Sequence, residues 1–164
     1  MIRITIDKAA LRAVSKFAAK DDIRYYLNGV CLDLGADEAR LVATNGHMLG
    51  LMRLRYADGD EQPAGNYQAI IPVELVKGVK KPGKRDTVAL TVTIEDGVAT
   101  LSDGDSKASG KLIDAKYSDY SRLWPKKVSG EVRQFNPEYV RAFLLARQEL
   151  GSDLPVVAIS HNGD

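Results

Sequence analysis

The chain has 164 residues, 45% of them hydrophobic and 27% charged, with a formal net charge of +1. That size supports one good core, or one domain and part of another, and the near-neutral balance leaves any nucleic-acid affinity to a local patch. The single cysteine, Cys31, excludes an internal disulfide, and no apolar run is long enough to span a bilayer, so the expectation is a globular protein of a reducing compartment, the cytoplasm.

In chain order the sequence reads as one unit imperfectly repeated: a strand, a helix, then a strand meander. Ile2, Ile4 and Ile6 alternate with polar residues, which predicts a strand and not a signal peptide. Asp7 is the expected N-cap of a helix from Lys8 to about Ala19. Val30–Leu34, Arg40–Thr44 and Met48–Leu54 read as strands, separated by turns at Gly35-Ala36-Asp37 and Asn45-Gly46. Arg55 to Gly65 is polar and reads as a loop.

The second unit opens with a strand over Asn66–Ile71. Pro72 is expected in the first turn of a short helix that runs to about Val79, and Lys80-Lys81-Pro82-Gly83-Lys84-Arg85 ends it. Thr87–Ile94 alternates, with Val88, Leu90, Val92 and Ile94 on one face. Asp96-Gly97 turns it into Val98–Leu101, and a further strand leads to Lys111–Ile113. A third unit begins with a strand over Glu131–Phe135. Asn136 as N-cap and Pro137 at the first helical position predict a helix to Leu150, ended by Gly151. Pro155–Ser160 is one more strand, before a His161-Asn162-Gly163 turn. Units of this kind, with one apolar sheet face and one amphipathic helix, predict an α+β fold with helices on one side of antiparallel sheets.

Chemistry-bearing residues are sparse. Lys8, Arg12, Lys16 and Lys20 recur every fourth position and read as one basic ridge, either a solvated helix face or a row of phosphate contacts. Lys77, Lys80, Lys81, Lys84 and Arg85 cluster where the second helix ends, where the helix dipole favours cations in any case. His47 has only His161 as a fellow histidine, with no ligand spacing between them, so no metal or cofactor is expected. Tyr25, Tyr26, Tyr117, Tyr120 and Trp124 are either core and rim or stacking platforms for single strands. No phosphate loop, nucleophile elbow or carboxylate pair is present, and no catalytic residue is assigned; a nuclease built from Asp103, Asp105 and His47 is the weakest of the readings.

Two blocks carry a resemblance. Arg24-Tyr25-Tyr26-Leu27-Asn28-Gly29 leads into strands that end in Thr44-Asn45-Gly46-His47-Met48-Leu49. Downstream lies Lys111-Leu112-Ile113-Asp114-Ala115-Lys116-Tyr117-Ser118-Asp119-Tyr120. Together they resemble the middle domain of the bacterial DNA polymerase III β subunit family, the sliding clamps. Phe135-Asn136-Pro137-Glu138-Tyr139-Val140 resembles the strand-to-helix entry of that family's last half-domain. Nothing matches its first domain. The resemblance implies a clamp domain over residues 1–126 and a partial half-domain over 127–164. It implies the DNA-clamp (processivity factor) fold, with helices lining a central hole.

It further implies a non-catalytic tether on double-stranded DNA. Lys8, Arg12, Lys16, Lys20, Lys77, Lys80 and Lys81 would contact DNA without sequence preference. Polymerase and clamp-loader peptides would dock at Arg24, Leu27, Thr44, Gly46, His47, Met48, Leu49 and Pro125. Asn45 and Met48 replace the family's usual Asp and Arg, so two charges are gone from the pocket edge. Self-association into a ring is expected, since a family ring holds twelve half-domain units and this chain has two and part of a third. The runner-up is a clamp-fold decoy or regulator that keeps the peptide pocket but does not encircle DNA.

Overall fold

The structure is a computed structural model that describes residues 1–61, 63–83, 88–123 and 134–151. Its elements follow the order β1 (Ile2–Asp7), α1 (Lys8–Ser15), β2 (Gly29–Leu34), β3 (Ala39–Thr44), β4 (Leu49–Leu54), β5 (Tyr67–Pro72), α2 (Val73–Lys77), β6 (Ala89–Glu95), β7 (Val98–Ser102), β8 (Lys107–Lys111) and α3 (Pro137–Glu149). Single 3-10 turns lie at Tyr25–Asn28 and Tyr120–Leu123.

Two four-stranded antiparallel sheets form, in the orders β1-β6-β7-β8 and β4-β3-β2-β5. Each unit lends its first strand to the other: β1 joins the second unit's meander, and β5 joins the first unit's. The pairing follows from the alternation. Ile2, Ile4 and Ile6 face Ile94, Val92 and Leu90 across the β1–β6 ladder, so a one-residue slip would turn every one of them to the wrong face. The inner faces of both sheets, with α1 and α2, close on one core that includes Ile4, Leu11, Val14, Leu32, Leu41, Ile71, Val76 and Val92. Fully burying each such side chain contributes about 1.5–3 kcal/mol. The outer face of the second sheet carries a smaller cluster of Cys31, Val42, Ile70, Tyr117 and Tyr120. Cys31 is thus the small buried hydrophobe its sequence context suggests, and burial pushes its thiol pKa well up.

Several boundaries differ from the sequence reading. Asp7 Oδ1 accepts from Ala9 N at 2.7 Å as the expected cap, but α1 ends at Ser15, not Ala19. The amides of Lys16, Phe17 and Ala18 bond three residues back, to Ala13, Val14 and Ser15, which tightens the last turn and then breaks it. Pro72 closes β5 and caps α2 from outside, with φ −55° and ψ 138°, so it is not a helical residue. Val88 lies outside β6 and is exposed, and its carbonyl accepts from Lys8 N at the start of α1. Residues 134–136 are irregular backbone before α3; residues 131–133 and the expected strand Pro155–Ser160 lie outside the described residues. The antiparallel sheets and the side on which α1 and α2 lie match the expectation. The surprise is α3, which packs on α1 and adds Ala142 and Ala146 to the same core.

Candidate functional site

The Thr44–Leu49 turn is built by two short side chains and a glycine. Thr44 Oγ1 accepts from Gly46 N at 3.0 Å and donates to Met48 O at 2.7 Å. Asn45 Oδ1 accepts from both His47 N and Met48 N, at 3.0 and 3.1 Å. A carboxylate would accept those two bonds equally well, so Asn45 keeps the turn's geometry while removing its charge. Gly46 has φ +90°, a conformation that suits glycine. Arg24 lies across it: a Cβ at position 46 would sit 3.0 Å from an Arg24 guanidinium nitrogen. Asp22 orients that guanidinium, accepting at 3.0 Å from Nε and 2.8 Å from a terminal nitrogen, and the pairing draws the Asp22 carboxyl down to about 2.

These residues do not line one pocket. Arg24, Asn45, His47 and Met48 border an open groove of about 690 Å³ with Lys16, Lys20, Tyr139 and Leu145. Leu27 is buried behind it, and its carbonyl accepts from Ala19 N at 2.9 Å. Thr44 is also buried. Leu49 borders a separate apolar hollow of about 340 Å³ with Phe17, Gly50, Met52 and Phe143. The His47 ring stacks on Tyr139 of α3, centroids 5.5 Å apart and planes 11° apart. Trp124 and Pro125, the latter expected at the lower rim, lie outside the described residues.

The four cations expected to form one ridge on α1 have different surroundings. Lys8 is buried, and its Nζ lies 3.1 Å from Asp103 Oδ2 in a pair with almost no solvent contact. It cannot reach a phosphate on the protein's surface. The Ser106 backbone N–H, Lys8 and the Ser106 hydroxyl hold the Asp103 carboxyl far below its usual range, so this acid belongs to a closed turn and not to a solvated loop. Arg12 donates to both carboxylate oxygens of Glu149, at 2.8 and 3.1 Å, and to Val79 O at 2.6 Å. Lys16 Nζ reaches the same carboxylate at 2.9 Å. Because α1 stops at Ser15, Lys20 leaves the row and stands exposed.

Of the second cluster, Lys77 pairs with Glu74, Lys81 Nζ donates to Gln148 O at 3.2 Å, and Lys80 is exposed without an ion pair among the described residues. Lys84 and Arg85 lie outside those residues. Sequence reasoning missed Glu149, which stands 137 positions from Arg12, and no local pattern could have announced that contact. It also missed Tyr139. Among the described residues no three of His, Cys, Asp or Glu are grouped as a metal ion would require, and no helix among them is long and apolar enough to cross a membrane. Tyr117 and Tyr120 are buried, in the aromatic cluster on the outer sheet face.

Residues 5–119 match the family model for the central domain of the DNA polymerase III beta subunit. The chain belongs to that family. Its curated clamp relatives include the beta sliding clamp of Pseudomonas aeruginosa, 29% identical over 135 residues, and that of Escherichia coli, 29% identical over 119 residues. The Pseudomonas alignment covers 80% of this chain but 36% of the relative, so the chain spans about a third of the clamp's length. A crystal structure of the Pseudomonas aeruginosa sliding clamp superimposes with a TM-score of 0.61 at 25% identity, over 78% of this chain and 36% of that one. The Bacillus subtilis clamp shares the fold at 19% identity, with a TM-score of 0.65 over 77% of this chain and 33% of its own. The match takes in the Thr44–Leu49 turn and the α1 cations, and ends short of α3.

Proposed function

We propose that this chain is a non-catalytic sliding-clamp subunit of DNA replication, a cytoplasmic protein that tethers polymerase and clamp-loader peptides while holding duplex DNA without sequence preference. The observation that carries the reading is the Thr44–Leu49 turn inside a central clamp domain. Its tight side-chain bonding, with Arg24 laid over Gly46, leaves His47 and Met48 at the edge of a groove next to an apolar hollow, and peptides bind such places through a few anchors. Arg24, Leu27, Thr44, Gly46, His47, Met48, Leu49 and Pro125 form the peptide-binding set in this proposal. Lys20, Lys77, Lys80 and Lys81 are its solvent-facing cations for phosphate, joined by Arg12 and Lys16 when those are free of Glu149. Weak phosphate contact permits sliding, whereas base contacts would arrest it. Residues 1–126 serve as the clamp domain and 127–164 as part of the next half-domain, and ring closure requires further copies.

The Glu149 contacts also favour a second reading, in which the fold keeps peptide docking but does not encircle DNA. Fluorescence anisotropy with two unrelated duplexes across a salt series tests the first reading. The expected result is equal affinity for both and a steep loss with salt, flattened by Lys20→Glu with Lys80→Glu. A strong sequence preference, or no binding at low salt, would overturn it. An apolar peptide of the clamp-binding type should shift the amide resonances of Gly46, His47 and Met48; no shift there would remove the pocket from the proposal.

A further inference from the structure

The last residue of α3 is an acid, which is the wrong sign for its position. The C-terminal end of a helix carries partial negative charge and favours cations, yet Glu149 closes α3. What accounts for its place is the neighbouring helix. One carboxylate spans Arg12 and Lys16, two-pronged on the guanidinium and single on the ammonium, at 2.8–3.1 Å. A phosphate group placed over the same two cations would make the same contacts, since both anions offer paired oxygens to a guanidinium fork.

The rest of α3 is lightly held. Of its thirteen residues only Ala142 and Ala146 are buried, and Phe143, Leu144 and Leu145 remain 44, 44 and 38% exposed. Beyond the carboxylate, its contacts among the described residues include the edge contact of Phe143 on Phe17 at 4.8 Å, the Tyr139 stack on His47, and Lys81 on Gln148 O. With two small buried side chains, against six buried residues in α1, α3 shares little of the core with the sheets.

We infer that α3 is an internal competitor of DNA: Glu149 occupies a phosphate position on Arg12 and Lys16, so α3 docking and duplex binding exclude one another. The inference rests on the duplex-binding reading above. A protein whose competent form is a minor fraction binds with its affinity reduced by that fraction. Releasing α3 therefore strengthens DNA binding without adding a contact to DNA, and bound DNA in turn loosens α3, as linkage requires.

The test uses the full chain. Glu149→Gln keeps the shape and removes the competitor's charge. Glu138→Gln removes the same charge from the exposed, opposite end of the same helix and serves as the electrostatic control. Phe143→Ala loosens α3 with no change of charge. Duplex affinity should rise about tenfold in E149Q over E138Q, as for a competent fraction of about one in ten. It should also rise in F143A, which keeps the test decisive if E149Q folds poorly. Hydrogen exchange of α3 amides in the unmodified chain should quicken on adding duplex. Equal effects of E149Q and E138Q together with no gain in F143A, or α3 amides that stay protected with DNA bound, would overturn the inference and leave DNA binding standing. Failure of every variant to bind duplex would overturn both.

Discussion

Gly50 on β4 has the ring of Phe17 where its side chain would begin: a Cβ there would lie 2.2 Å from a ring carbon. The close approach lets the Phe17 ring, just past the end of α1, pack against β4 while it meets Phe143 edge to face, centroids 4.8 Å apart. Gly50→Ala should therefore destabilise the protein by about 1–3 kcal/mol, the usual range for an overpacked core, seen as a lower urea midpoint at unchanged slope. Gly65→Ala, which meets nothing within 4 Å, is the control and should leave the midpoint in place.

Lys8 and Asp103 make the second test. Their pair ties the first turn of α1 to the turn between β7 and β8, with side-chain exposures of 5 and 7%. Removing one partner strands the other in a site with little water. Lys8→Met should lower the thermal midpoint well beyond Lys20→Met, and Lys8→Met with Asp103→Asn should recover part of the loss. Because Lys8 is buried, its replacement should leave duplex affinity unchanged once the protein is folded, the opposite of what its place in a four-residue row suggests.

The contrast shows what was legible in the sequence. Ile2, Ile4 and Ile6, or Leu90, Val92 and Ile94, announce their strands because alternation is local and burial follows from it. Asp7 and Asn136 announce their helices because a cap is a contact across two residues. The Thr44–Leu49 turn was legible as a motif, and alternation along the expected Met48–Leu54 strand already sends Met48 and Leu49 to opposite faces, but the groove and the hollow beside them were not legible because distant residues such as Tyr139 and Phe143 line them. The cation row failed for a different reason. A spacing of four predicts a shared face, and it says nothing about which acid, 95 or 137 positions away, covers that face. The strand exchange between the units was equally hidden, because either meander could accept either first strand on pattern alone.

The start of α3 offers a prediction that isolates this helix from the sheets. Asn136 Oδ1 accepts from Glu138 N at 2.9 Å, and Pro137 follows at the first helical position. Asn136→Ala should cost about 0.5–2 kcal/mol of helix stability. With α3 so lightly packed, that loss should appear as faster exchange of α3 amides and weaker stacking of Tyr139 on His47, read from ring-current shifts, while the β2–β5 and β1–β6 amides keep their protection.

Acid should release α3 through Glu149. Burial alone would raise its carboxyl, but the bonds from Arg12 and then Lys16 outweigh that and hold it at about 2, below the ordinary 4.5. A lowered folded-state value means that the carboxylate's contribution is fully present above the ordinary value and is lost as pH falls towards the folded one. The docked form of α3 should thus be insensitive to pH above about 4.5 and detach progressively between 4.5 and about 2. The groups facing this carboxylate are both cations that stay charged throughout, so the transition should follow one proton. Asp22 is drawn down to about 2 as well, by its side-chain and then its backbone bond with Arg24, and titrates in the same window. Amide exchange of α3 measured from pH 6 to 2 separates the two: the acid transition should vanish in Glu149→Gln and persist in Asp22→Asn. A transition that survives in Glu149→Gln would mean that α3 is held by its aromatic contacts and not by the carboxylate.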